Sequence, residues 1–493
     1  MKMQPEKKPG RIEKDALGSL EVPADAYYGI FTERARKNFS ISGIRADRDF
    51  IRALALIKKA AAAANVELGT MENAAGEAII AAAGEVAEGK WDSQFPLDVF
   101  QAGAGTPFNM NSNEVIANVA IEKLGGKKGD YSLVHPNNHV NMAQSSNDVI
   151  PTTIRIAALF SMQPLMLATG KLASEFRKKA GQHNGIVKTG RTHLEDAVPV
   201  RFDQVFNSYA KALDDCARRI NAAENSLLQL GIGGTAIGTG INTHPQFKEK
   251  TVRNLSRYTG FNFVVATDSI LTTWSASTFL EASNSLRLLA TEVIKICNDL
   301  ILLNSGPKTA IAEIVLPEVE PGSSIMPGKV NPSIPECAIM ACLQTLGNDF
   351  AIAEAAKSGQ LELNVMTPLI AFDLLWSARI MTNALNMLGE SCVQGMAVDA
   401  ARAQQLLEKG LSLVTALNPY IGYDAAAEIV KIALKEDKPL TAVIIENKIM
   451  DEQDLRKILD AKAMTEPGLV DKKLQEKIQS SESFKKFKLS RSL

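Results

Sequence analysis

The chain has 493 residues, with 54 Lys and Arg against 55 Asp and Glu, and only 6% aromatic side chains. The near-zero net charge gives no electrostatic ground for nucleic acid or an anionic membrane as partner, and few aromatics among abundant Ala, Leu and Ile indicate a mainly α protein. Five scattered cysteines (Cys216, Cys297, Cys337, Cys342, Cys392) without a C-x-x-C pair read as reduced core residues, and MKMQPEKKPGRIEKD has no apolar stretch. With no run of about 18 uncharged apolar residues, the expectation is a cytoplasmic protein.

In chain order, an extended entry at LGSLEVPADAYYG leads into shorter helices and then a polar island, QAGAGTPFNMNSNEV (101–115). Gly103 and Gly105 free the backbone there before Thr106, so the loop can present amides to an anion. A second island, HPNNHVNMAQSSNDVIPT (135–152), puts Ser145, Ser146 and Asn147 ahead of a helix starting near Pro151. Hydroxyls and N–H groups at a helix start suit a carboxylate, and they also serve as simple caps. His135 and His139 have zinc-helix spacing, yet Pro136, Asn137 and Asn138 between them favour a turn, so no metal site is expected.

A helix over about 154–181 precedes a third island, KTGRTHLEDAVPVRF (188–202), with Arg191, Thr192 and His193. From 201 to 230 apolar residues fall at Phe202, Val205, Phe206, Tyr209, Leu213, Cys216, Ile220, Ala223, Leu227 and Leu230. Steps of three and four over that length predict a bundle helix of roughly 40 Å. The glycines of GIGGTAIGTGIN (231–242) end it; their spacing is not G-x-G-x-x-G and they follow a helix, which rules out a dinucleotide fingerprint.

Further helices are predicted at 270–303, 335–357 and 367–395, several of them apolar or small on more than one face, so a homo-oligomer is expected. Between them lies PEVEPGSSIMPGKVNPSIPE (317–336), where prolines and glycines forbid a helix and Ser323, Ser324, Lys329 and Asn331 supply a base, donors and a cation. Alone it reads either as a mobile loop over a site or as a solvent-exposed connection. The charged end, SESFKKFKLSRSL, is expected to fray. The expected division is 1–143 (mixed, mostly helical), 144–396 (long-helix bundle) and 397–493 (small, helical).

GSSIMPGKVNP (322–332) resembles the signature loop of the aspartase/fumarase superfamily. RIEKDALGSLEVPADAYYG, GAGTPFNMNSNEV, QSSNDVIPT, GRTHLEDAVP, GTAIGTGIN, SGQLELNVM and NPYIGYDAA are similar to its other landmarks in the same order, from about residue 11 to 470. PGKVNP is similar to the aspartase and fumarase branches, not to those splitting argininosuccinate or adenylosuccinate. AYYG, AGAGT, DAVP and GQLELNVM resemble aspartase; QSSND with its Ser146, Phe100 and GGTAIGTGINTHP lean toward class II fumarase.

The resemblance implies a mainly α fold with a long central helix bundle and smaller terminal domains, and elimination from a four-carbon dicarboxylate through an aci-carboxylate. Ammonia leaving from L-aspartate is the first expectation and water from L-malate the second. A non-catalytic structural member, as among lens crystallins related to argininosuccinate lyase, is a remote third. The matching positions imply Ser323 as base, with Thr106, Ser145, Ser146 and Ser324 around the β-carboxylate. Thr192, Lys329 and Asn331 would clamp the α-carboxylate, Asn147 and His193 meet the leaving group, and Glu336 orients the histidine. The resemblance further implies a homotetramer with sites drawn from three chains. No cofactor is expected to be required; activation by a divalent cation is not readable from the residues.

Overall fold

The computed structural model describes residues 10–491. Its extended entry is a hairpin, β1 (Gly10–Asp15) and β2 (Gly18–Pro23), paired from Gly10 with Pro23 to Asp15 with Gly18. Four helices follow: α1 (Ile30–Asn38), α2 (Arg48–Glu67), α3 (Asn73–Ala87) and α4 (Thr106–Lys123). Helix α5 (Ser146–Gln182) is followed by a second hairpin, β3 (Val187–Thr192) and β4 (Glu195–Arg201), then α6 (Phe202–Leu227) and α7 (Phe247–Thr259). After the single turn α8 (Leu271–Trp274) come the long helices α9 (Ser277–Asn304), α10 (Ser333–Lys357) and α11 (Thr367–Leu388). Short helices complete the chain. The mainly α expectation is met and the five long helices are present, but α5 begins at Ser146 instead of near Pro151, so Ser146 and Asn147 lie in its first turn, and the expected 270–303 helix is interrupted between α8 and α9.

Contacts divide the chain into two compact units. Unit 1 comprises residues up to Thr169, Asp215–Ile294 and Ile339–Leu385; unit 2 comprises Gly170–Asp214, Lys295–Ala338 and Asn386–Leu493. Alanines on α2 and α3 (Ala55, Ala62, Ala82, Ala83) let backbones approach closely in unit 1, where Ile51, Ile79, Val115, Ile116 and Ile121 fill the remaining space. The predicted stripe of α6 points inward, with Phe202, Phe206, Leu213, Cys216, Ile220 and Leu227 fully buried and Val205 half-buried. Each large apolar side chain so buried contributes about 1.5–3 kcal/mol. On α10, by contrast, Met340, Leu343 and Phe350 share one face and are 66, 54 and 69% exposed within a single chain.

Four expectations need correction. The tail is not frayed: Glu482–Ser490 is helical, capped by Ser481 Oγ, because Phe484 and Phe487 are anchored in the apolar cluster of unit 2. Cys337 is exposed near the start of α10, while the other four cysteines are buried. Residues 187–201 form a hairpin, where the polarity suggested only a loop. Membrane spanning cannot be dismissed on composition alone, since α5 is long and apolar enough to cross a bilayer; 61% of that stretch is buried in the protein, as in a core helix.

Candidate functional site

Unit 1 carries Thr106, Ser145, Ser146 and Asn147. Ala104 and Gly105, at φ 60° and 68°, swing the chain into the first turn of α4, so Thr106 opens a helix whose first N–H groups have no partner within it, Phe108 N donating instead to Gln101 Oε1 at 3.1 Å. Ala104 is pinned by its N–H to Val365 O at 2.8 Å, which docks the 358–366 landmark beneath this turn. At Gly103 a Cβ would stand 2.8 Å from Val365 Cβ, so the close approach requires glycine.

The polar segment before α5 is fixed by Asp148. Its carboxylate accepts from Ser145 N at 2.9 Å, Gly233 N at 2.9 Å and Thr235 N at 2.8 Å, so the 231–242 glycine run folds onto the start of α5. Burial pushes the Asp148 carboxyl up to about 6, against these N–H groups and nearby Lys58, which favour the anion. Ser145 Oγ accepts from Asn147 N, and Asn147 Nδ2 donates to Ala236 O at 2.8 Å. Three of the polar islands and the 358–366 landmark thus meet in one unit.

Sequence reasoning missed Lys58. It is fully buried in the middle of α2, and its ammonium donates to Asn109 Oδ1 at 2.7 Å, Asn141 Oδ1 at 2.9 Å and Gln144 Oε1 at 2.9 Å. Asn109 in turn donates to Ser146 Oγ at 3.2 Å and to Asn141 Oδ1 at 3.1 Å. Burial pushes Lys58 down to about 7, opposed by the nearby Asp148 carboxylate, and its three N–H bonds are matched by three acceptors. The run IRALALIKKAAAAA carries Arg52, Lys58 and Lys59, and nothing in it singles out Lys58.

Unit 2 carries the other set. Thr192 and Glu195 close β3 onto β4, leaving His193 and Leu194 as a two-residue turn with φ 57° and 64°. Such a turn normally takes Asn or Gly, and non-glycine residues held there cost of order 1–3 kcal/mol each. His193 is thereby presented, exposed, at the tip of a rigid ribbon. The ribbon is anchored by Glu313, fully buried, which pairs bidentately with Arg191 at 3.0 and 3.0 Å and meets Lys188 Nζ at 3.4 Å. Thr192 and Arg191 also border a cavity of about 400 Å³ that Tyr209 and Lys295 share. Glu313→Gln strands two half-buried or buried cations, so its cost to folding should be about 3–5 kcal/mol; equilibrium denaturation measures it, and a loss below about 1 kcal/mol would assign the pairs no anchoring role.

The loop before α10 closes on itself. Asn331 Nδ2 donates to Gly322 O at 2.5 Å, Lys329 Nζ donates to Asn331 Oδ1, and a Cβ on Gly322 would lie 2.2 Å from Lys329 O. Glycine is therefore demanded at 322. Inside this ring Ser323 Oγ accepts from Met326 N at 3.0 Å and Ile325 N at 3.3 Å. Two N–H groups aimed at one hydroxyl oxygen lower the cost of negative charge on it. Ser324 and Lys329 are exposed and Asn331 is half-buried. Glu336 is exposed in the first turn of α10. The two histidines with zinc-like spacing are engaged with their own turn: His135 Nδ1 accepts from Asn137 N and Asn138 N, and His139 Nδ1 from His135 N.

Residues 18–347 match the family model described as Lyase, and residues 413–466 match that of the Fumarase C C-terminus. The chain is 42% identical over 463 residues to an aspartate ammonia-lyase of a Bacillus species, covering 94% of this chain and 99% of that one. It is 46% identical over 465 residues to the class II fumarate hydratase of Halobacterium salinarum, covering 93% and 98%. Among solved structures it is similar to the fumarate lyase:delta crystallin of Brucella melitensis bound to cobalt, with a TM-score of 0.90 at 42% identity over 93% of this chain and all of that one. Similarity to the class II fumarase of Schistosoma mansoni gives a TM-score of 0.90 at 35% identity, again over 93% of this chain and all of that one.

Proposed function

As the chain belongs to the lyase family that includes aspartases and class II fumarases, we propose that it eliminates ammonia from L-aspartate to give fumarate, reversibly, with Ser323 as the base. The observation that carries the elimination chemistry is the pair of N–H groups on Ser323 Oγ. A serine is a poor base at neutral pH unless its alkoxide is stabilised, which these two N–H groups begin to do; the loop is exposed in the single chain, so exclusion of water is assigned to its closing over substrate.

The proton lies beside the β-carboxylate, and its removal places two negative charges there. Thr106, Ser145, Ser146 and Ser324 are assigned to that aci-carboxylate, since preorganised donors aimed at developing charge account for most of such rate enhancements. Lys329, Asn331 and Thr192 hold the α-carboxylate, the lysine giving charge and the other two orientation. Asn147 and His193 meet the departing amino group, and Glu336 orients the histidine. The protein's own groups suffice in this scheme, without a cofactor.

Ammonia is favoured over water by AYYG (26–29), AGAGT (102–106), DAVP (196–199) and GQLELNVM (359–366). Dehydration of L-malate is the second reading, favoured by the serine at 146 in QSSND. Purified protein given L-aspartate should release fumarate, seen by its ultraviolet absorbance, with an equal amount of ammonium. Fumarate without ammonium, and only from L-malate, would select the second reading.

The exposed apolar face of α10 supports a homotetramer, with each active site drawn from three chains. Inactive Thr106→Ala and Ser323→Ala proteins, mixed and allowed to exchange subunits, should then recover part of the wild-type rate. No recovery after proven exchange would place both residues in a site built from one chain.

A further inference from the structure

Arg155 takes no part in the chemistry above. It lies in α5, 3% exposed, with its guanidinium 4.9 Å from the Phe279 ring centre. Among the described residues its only hydrogen bond is a long one, 3.4 Å from Nη1 to Pro151 O; Nε has no partner and no carboxylate pairs with the group. Burial lowers its pKa to about 10, which leaves it cationic at neutral pH. An unpaired buried cation is expensive, and a fold that keeps one needs an anion to meet it.

The same guanidinium lines a cavity of about 270 Å³ in unit 1, together with the hydroxyls of Ser226 and Thr278; Thr272 and Ser275 border it too but are engaged, Thr272 Oγ1 donating to Ser269 O at 2.8 Å and Ser275 Oγ sharing a hydrogen bond with Ser277 Oγ at 3.0 Å. Two acids, Asp268 and Glu281, also border it, but both are exposed. Asp268 Oδ1 is engaged by Ile270 N at 2.8 Å and Leu271 N at 2.9 Å. Neither neutralises the arginine.

We propose that this cavity is a second binding site, for a small oxyanion of carboxylate or phosphate type, gripped by Arg155 and oriented by the surrounding hydroxyls. The planar fork of a guanidinium matches both kinds of oxyanion, and hydroxyls can donate to their remaining oxygens. The assignment stands independently of the roles given to Ser323 and its partners.

Equilibrium dialysis of the intact protein against inorganic phosphate and, separately, succinate tests it and tells the two sources apart. The Lys329→Met protein, weakened at the elimination site, should keep the Arg155 site for whichever probe fits. Arg155→Met should weaken that binding at least about tenfold. Because it removes an unpaired charge, Arg155→Met should also melt no lower than wild type in anion-free buffer. Thr278→Val, which keeps the arginine, should weaken binding by about threefold. Binding unchanged in Thr278→Val and Arg155→Met, or neither probe bound by Lys329→Met, would overturn the proposal. So would an Arg155→Met protein melting well below wild type without anion, because a second copy would then supply the counter-charge.

Discussion

Ser323→Ala should lower kcat by about three orders of magnitude, within the range for losing a general base, while the dissociation constant for a non-reacting dicarboxylate such as succinate stays within a few-fold of wild type. The asymmetry follows from the loop. Its closure depends on Asn331 to Gly322, Lys329 to Asn331 and the absence of a side chain at 322, none of which the alanine disturbs. What the alanine removes is the acceptor of the Ile325 and Met326 N–H groups, and with it the only oxygen those dipoles could stabilise as an anion. Steady-state rates with succinate inhibition separate the two effects. Unchanged turnover would refute the base assignment, and a parallel loss of succinate binding would make Ser323 a structural member of the loop.

Lys58→Met should keep the protein folded but cut kcat/KM by about a hundredfold, or roughly 2.7 kcal/mol. The methionine fills a similar volume yet leaves the side-chain oxygens of Asn109 and Gln144 without their lysine donor and Asn141 Oδ1 with Asn109 Nδ2 alone. Unpaired buried acceptors reorganise, and Asn109 would no longer be held to donate to Ser146 Oγ. A positioning role predicts partial loss that Asn109→Ala reproduces without adding to it in the double variant. Fully additive losses, or full activity in Lys58→Met with normal stability, would detach this network from the site.

Much of this was legible in the residues. The three-and-four spacing of α6 fixed both its existence and its buried face, because one apolar stripe on a long helix has only one way to be covered. The polar islands stood out since glycine, proline and hydroxyl clusters have no place within helices. The β3–β4 hairpin did not stand out: its turn is His193 and Leu194, residues that avoid positive φ, and its register rests on Glu313, more than a hundred positions downstream. Lys58 was invisible for the same reason, its partners at 109, 141 and 144 being brought to it only by folding. The tail misled because its charges outnumber Phe484 and Phe487, although two aromatics in an apolar cluster are enough to hold two turns of helix.

The leaving group is where the sequence signals divide, and one comparison addresses it: kcat/KM for L-aspartate against kcat/KM for L-malate on the same preparation. The wild-type protein should form fumarate with a ratio of L-aspartate to L-malate far above one, and Ser323→Ala should lower whichever activity is present by about three orders of magnitude. A ratio far below one would make the chain a hydro-lyase using the same base, and no fumarate from either substrate would contradict the elimination chemistry itself.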